Sequence, residues 1–299
     1  MSDNGRDITL FYGCLITTKY QQVELATSFV LDKLGAPVKP VKGFSCCPDP
    51  IFFRAKDNYQ WLSLAARNLC LAQDENADIV ACCSGCNSTL RDAAHILGGD
   101  GELLKKTNEK LSKIGKSYEG KTGVKHFMAF LRDDVGIEKI RETISRKLPG
   151  LKAAPFYGCH ILKPSEVMEF EQSLRFPRSL DPLIEATGVE VIHYDHESDC
   201  CGKGSIEEKV NLGMVKTILL SAKEAGADFV CVVCPYCFAA LELGQLGLKR
   251  TEKLDIGMPI VFYPQLLALA QGATMEEAGL QLHKIKAACI TEAITEKAT

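Results

Sequence analysis

Ten of the fourteen cysteines in this 299-residue chain fall into one pattern written twice. The first half gives Cys14, the neighbours Cys46 and Cys47, and the Cys83-x-x-Cys86 pair. The second gives Cys159, the neighbours Cys200 and Cys201, and the Cys234-x-x-Cys237 pair. Aligning Cys14 with Cys159, Cys47 with Cys201 and Cys83 with Cys234 gives offsets of 145, 154 and 151 residues. The flanks repeat as well: "LFYGC" answers "PFYGC", and "NADIVACCSGC" answers "GADFVCVVCPYC". A looser echo links "VKHFMAFL" to "IVFYPQLLAL". Order, spacing and flanks agree on an internal duplication.

Thiolate is the form of cysteine that binds metal and attacks sulfur. A structural zinc takes four ligands, commonly from two short cysteine hooks, and a cubane iron–sulfur cluster also takes four thiolates. Each half here offers five, which points to a bridging ligand or an unusual cluster geometry. Two zinc sites and buried inert thiols stand as alternatives; inert thiols account for isolated cysteines but not for a repeated set. Cys70, inside "LAARNLCLA", and Cys289, near the C-terminus, read as core thiols. Cys82 and Cys231 are additional to the aligned set and stay outside it. Neighbouring side chains on a strand point to opposite faces, so both vicinal pairs must lie on turns to reach one centre. "SCCPDP" supplies Pro48 and Pro50 for such a turn, and "DCCGKG" supplies Gly202 and Gly204.

The elements that must position these thiols alternate between strand and helix. Short apolar runs at 8–12, 78–81, 156–157, 189–193, 229–233 and 260–263 read as buried strands. Helical patterns run over 21–34, 59–73, 207–225 and 275–296, with Gly35 and Gly226 as stops after two of them. "RAKDN" and "LGGDGELLKK" read as loops. The alternation predicts an α/β protein of two pseudo-symmetric repeats with mainly parallel sheets. Each Gly-Cys and each Cys-x-x-Cys then falls at a strand's C-terminal end, the edge where such sheets hold ligands. Residues 145–154 form the expected boundary, giving repeats over 1–149 and 150–299.

Composition bounds the function. The chain is 46% hydrophobic and 24% charged with a net charge of −3, a globular profile without whole-chain attraction to nucleic acid. "MSDNGRDITL" lacks the basic start and apolar core of a secretory signal. The longest near-apolar run, 229–241, is too short to span a bilayer and contains Pro235. The expectation is a cytoplasmic protein with no membrane span, where thiols stay reduced and serve metal or redox chemistry. No GxGxxG or P-loop is present, and no ferredoxin-type cysteine run either. Electrons must therefore come from a partner chain.

The pattern C-x31-CC-x35-CxxC followed by C-x40-CC-x32-CxxC resembles the duplicated cysteine-rich "CCG" domain family over nearly the whole chain. With "FYGCH", "LKP" and "CCG" together, it resembles the B subunits of heterodisulfide reductases from methanogenic archaea within that family. Pro48 departs from the pattern by replacing the motif glycine in the first copy. The resemblance implies two noncubane [4Fe-4S] clusters. Cys14, Cys46, Cys47, Cys83 and Cys86 would hold one; Cys159, Cys200, Cys201, Cys234 and Cys237 would hold the other. It implies reduction of the small-molecule disulfide of coenzyme M and coenzyme B to two thiols, each cluster meeting one sulfur. The implied partners are an A subunit bearing flavin and iron–sulfur centres, and a ferredoxin-like C subunit that donates the electrons. A hydrogenase or formate dehydrogenase would complete the assembly. Both halves of that substrate are anionic, so Lys19, Lys163 and Lys203, each near a ligand cysteine, are candidate anchors. Arg54 follows the first vicinal pair. His160, beside Cys159, is a candidate proton donor or hydrogen-bond partner of a metal-bound sulfur. His193 and His196 rank below it, and His95, His126 and His283 have no cysteine near them in sequence. Two rival readings remain: an electron-transfer subunit of a glycolate, lactate or fumarate/quinone oxidoreductase, and a non-enzymatic zinc scaffold.

Overall fold

The structure, a computed structural model, describes residues 5–295. Seven strands among the described residues form two parallel sheets. β1 (Asp7–Phe11), β2 (Ala77–Ala81) and β3 (Val124–His126) lie side by side in that order. β4 (Lys152–Phe156), β5 (Glu190–Val191), β6 (Phe229–Val232) and β7 (Ile260–Phe262) pair in the order β5–β4–β6–β7. β2, β6 and β7 are buried throughout, as apolar runs covered by helices on both faces should be.

The registers superpose the repeats. Phe11 pairs with Ala81 and Ala81 with His126; Phe156 pairs with Val232 and Val232 with Phe262. This is the same correspondence as the cysteine offsets of the Gly-Cys and Cys-x-x-Cys segments. β5 has no counterpart beside β1; there Lys39 contributes a single backbone hydrogen bond to Ile8, 2.8 Å long.

One continuous apolar core spans both sheets. The helix Gln21–Leu34 of the first repeat packs against the helix Tyr263–Ala270 of the second. At that seam the Tyr20 ring meets Phe238 edge-on at 5.3 Å between centroids.

Three sequence expectations are corrected. "RAKDN" is mostly helical: Phe52–Lys56 forms one short helix, and Asp57 caps the next, Asn58–Asp74, by accepting from the Gln60 amide at 2.9 Å. "LGGDGELLKK" joins the helices Ser84–Gly99 and Gly101–Leu111, broken only at Asp100, whose carboxylate accepts from the Leu103 amide at 2.9 Å. The helix expected over 275–296 is a turn, a short 3-10 segment at Leu280–Leu282 and a helix over Ala288–Thr295. Gly279, with φ of +70°, breaks the pattern because it packs against the Gln22 backbone of the opposite repeat. Residue 296 and the first four residues lie outside the described range.

Candidate metal centre

Each repeat brings its five thiols to the C-terminal edge of its sheet. β1 and β4 end one residue before Tyr12-Gly13-Cys14 and Tyr157-Gly158-Cys159. Both glycines have a left-handed backbone, φ +69° and +66°, and a Cβ there would stand 2.5 Å from Cys86 Sγ and 2.8 Å from Cys237 Sγ. The sequence phrase recurs because each site needs a residue without a side chain where the strand turns under the opposite thiol. Cys83 and Cys234 cap the helices Ser84–Gly99 and Pro235–Thr251, so Cys86 and Cys237 sit in a helical first turn. The vicinal pairs lie on irregular loops as expected, and Pro48, in the glycine position, is held by the Thr89 hydroxyl donating to its carbonyl at 2.8 Å.

The ten thiols lie close enough to perturb one another's titration. Cys46 donates to Cys14 across 3.9 Å and also hydrogen-bonds Cys47; Cys47 meets Cys86, and Cys86 meets Cys83. Cys83 then crosses the repeat boundary to Cys234, and the contacts continue through Cys237, Cys201 and Cys200 to Cys159. The pKa values of three members fall: Cys47 through Cys46 and Cys86, Cys234 through Cys237 and Cys83, and Cys200 through Cys159 and Cys201. Their partners Cys46, Cys86, Cys83, Cys237, Cys159 and Cys201 are pushed up. Cys82 and Cys231 stand apart: both are buried, and Cys231 lies inside β6. Burial raises the pKa of each. Cys70 is buried in the helix Asn58–Asp74, and Cys289 is half-buried against the Asp228 carbonyl.

The donor set discriminates among metal groups. Among the described residues no three His, Cys, Asp or Glu side chains gather as a single-ion site. Five soft thiol donors on each cavity exceed the four that one tetrahedral zinc takes, and such donors suit an iron–sulfur group.

Two adjacent cavities open on these thiols. The first is lined by Cys14, Cys46, Cys47, Cys83 and Cys86 with Tyr12 and Leu15. The second is lined by Cys159, Cys200, Cys201, Cys234 and Cys237 with His160 and Lys203. Asp49, Pro50, Gly85 and Tyr236 line both, so each repeat builds part of the other's cavity. The pseudo-symmetry fails where chemistry would notice. Leu15 stands where the second repeat has His160, Asp49 where it has Lys203, and Gly85 where it has Tyr236. His160 Nδ1 lies 3.3 Å from Cys159 Sγ. Asp49 turns Oδ1 to the amides of Ile51 and Phe52, at 2.9 and 2.6 Å. Lys19 and Lys163 are exposed and line neither cavity. Arg54 is committed elsewhere, paired with Asp92 over the Trp61 ring. A larger cavity of about 620 Å³ touches no cysteine, and its Arg91–Glu169 and Lys125–Asp134 pairs satisfy one another at 2.8 Å.

His126, which has no cysteine near it in sequence, ends β3 buried to 2% exposure and feels the charge of Cys234 in the other repeat. The echo of residues 124–131 in 260–269 was the available signal, since it sets His126 at the ligand-bearing edge. His193 belongs to a separate cluster, with Nδ1 2.8 Å from Glu197 and Nε2 3.2 Å from Asp181; His196 pairs with Asp199 at 2.8 Å. No helix among the described residues is long and apolar enough to cross a membrane.

Comparison with known proteins agrees with this geometry. The model of the cysteine-rich CCG domain matches twice, over residues 8–91 and 153–242. The B subunit of the ferredoxin/F420H2-dependent CoB-CoM heterodisulfide reductase of Methanosarcina acetivorans is 35% identical over 93% of this chain and 94% of that one. The 8-methylmenaquinol:fumarate reductase membrane anchor subunit of Wolinella succinogenes is 28% identical over 94% of this chain and 98% of its own. In fold, the chain is similar to a hypothetical protein from Helicobacter pylori, with a TM-score of 0.73 at 18% identity over 94% of this chain; the match spans 52% of that protein. The chain therefore belongs to the duplicated cysteine-rich CCG domain family, alongside the B subunits of heterodisulfide reductases.

Proposed function

We propose that the chain is the catalytic iron–sulfur subunit that reduces the coenzyme M–coenzyme B heterodisulfide to two thiols. The observation that carries this reading is that the two five-thiol sets line adjoining cavities which share Asp49, Pro50, Gly85 and Tyr236. Cys14, Cys46, Cys47, Cys83 and Cys86 would hold one noncubane [4Fe-4S] cluster, and Cys159, Cys200, Cys201, Cys234 and Cys237 the other. Such clusters supply electrons singly, and cleaving a disulfide to two thiols takes two electrons and two protons.

The chain's own residues divide the remaining work. Tyr236, Asp49, Pro50 and Gly85 wall both cavities, so the disulfide would have to meet them at the junction. His160, at the second cavity, holds a proton for the departing sulfur, and Lys203 supplies the positive charge for an anionic group near it. Leu15 and Tyr12 leave the first cavity to an apolar arm. Lys19 and Lys163, outside both cavities, are at most outer guides for an anionic substrate. A ferredoxin-like C subunit donates the electrons, with the flavin-bearing A subunit behind it and a hydrogenase or formate dehydrogenase beyond. Partner dependence is supported by the subunit names of the relatives.

A second reading, an electron-relay subunit of a related oxidoreductase, is favoured by the exposure of Cys14 and Cys46, a point where electrons could leave. Anaerobic turnover of the heterodisulfide with reduced viologen separates the two. Thiol release is expected, and its absence from a cluster-replete preparation favours the relay. Zinc without acid-labile sulfide would end both.

A further inference from the structure

No step of that chemistry uses His126, yet its contacts bridge the repeats. The Met128 amide donates to Nδ1 at 3.1 Å, which leaves the ring proton on Nε2. Nε2 faces the Ser84 hydroxyl at 3.3 Å, and that hydroxyl donates to the Val233 carbonyl at 3.3 Å. The ring also meets Phe170 edge-on, 6.3 Å between centroids.

Ser84 follows Cys83, and Val233 precedes Cys234. The hydrogen-bonded chain therefore starts in the first repeat, passes beside one member of the inter-repeat thiol contact and ends beside the other. It exists once. The registers place Phe262 opposite His126, and the motif places Pro235 opposite Ser84; neither side chain can form such a bond.

We propose that His126 is a positioning residue: through Ser84 and Val233 it straps the first Cys-x-x-Cys to the second and so sets how strongly the two thiol sets interact. The strap itself is a property of the chain, and only its effect on electronic coupling rests on the iron–sulfur reading. Buried groups that satisfy one another across a seam hold it in one arrangement.

The test uses three full-length variants: Ser84→Ala, His126→Phe (which copies the second repeat) and His126→Gln (whose amide can still donate to Ser84). Metal-free protein is treated briefly with diamide, and peptide mass spectrometry reads the ratio of Cys83–Cys234 to Cys83–Cys86 disulfide. The ratio is expected to fall at least fivefold in the first two variants and to recover at least half of its value in His126→Gln. An unchanged ratio in Ser84→Ala and His126→Phe overturns the strap. After anaerobic reconstitution to equal iron content, electron paramagnetic resonance of the one-electron-reduced centres should show weaker mutual broadening in the same two variants. Unchanged broadening there, with a reduced cross-linking ratio, refutes the coupling role. A parent chain that takes up no iron sinks the iron–sulfur reading while leaving the cross-linking result to decide the strap.

Discussion

A methyl group on Gly13 would press on the Cys86 sulfur, and one on Gly158 on that of Cys237. Left-handed φ adds about 1–2 kcal/mol for any residue with a Cβ. Gly13→Ala or Gly158→Ala is therefore expected to empty one site and spare the other, so that iron per chain after reconstitution falls to about half. Lys203 acts at the same scale: without its cation in the second cavity, a charge-assisted contact worth about 1.5–3 kcal/mol is lost. Lys203→Ala should raise KM for the disulfide roughly tenfold or more with kcat little changed, while Lys163→Ala should change neither; equal effects from both would remove Lys203 from the cavity's role. The ten cysteines were legible because their spacing repeats, and His160 because it directly follows Cys159. His126 was not, because its partners are Ser84 and Val233, far away in sequence and on both sides of the repeat boundary.

Most strands were legible as short apolar runs, two of them stopped by Gly-Cys, but β3 was not read and β4 begins at Lys152, four residues before the run at 156–157. The helices after Cys83 and Cys234 were not read, since Ser84, Gly85, Asn87 and Pro235, which form their opening turns, are not strong helix formers. Asp100 shows how small the signal for a boundary can be: one carboxylate separates two helices. Asp100→Ala should cost about 1 kcal/mol in chemical denaturation. The segment 275–287 was misread as helix because its fit depends on tertiary contacts. There His283 donates to Gln265 at 3.0 Å beneath the Phe238 ring. Burial lowers its pKa to about 4, below the value near 6.5 of an unfolded histidine. The unfolded chain then binds the proton first. The stability contribution is complete above about pH 6.5 and is lost as pH falls toward 4, up to on the order of 3 kcal/mol. Denaturation at pH 7 and pH 4.5 should show a shallower acid loss for His283→Gln than for the parent; identical slopes would show that His283 is not held neutral.

For the whole molecule, duplication supplies two similar sets of thiols and the shared core fixes them edge to edge. On the proposed function, the differences at Leu15/His160, Asp49/Lys203 and Gly85/Tyr236 would let two related sites treat two unlike halves of one substrate differently. Exposure differs too, with Cys14 and Cys46 exposed and Cys159 and Cys200 only partly so. Iodoacetamide should label Cys14 and Cys46 of the metal-free chain first; labelling led by Cys159 would reverse the assignment of the open side. The central claim is that both thiol sets act on one disulfide, and the most direct test is thiol release by a chain with one set disabled. Cys201→Ser, reconstituted anaerobically, should keep about half of the parental iron and release no thiol from the heterodisulfide with reduced viologen. Turnover at the parental rate from that single-site chain would contradict the account.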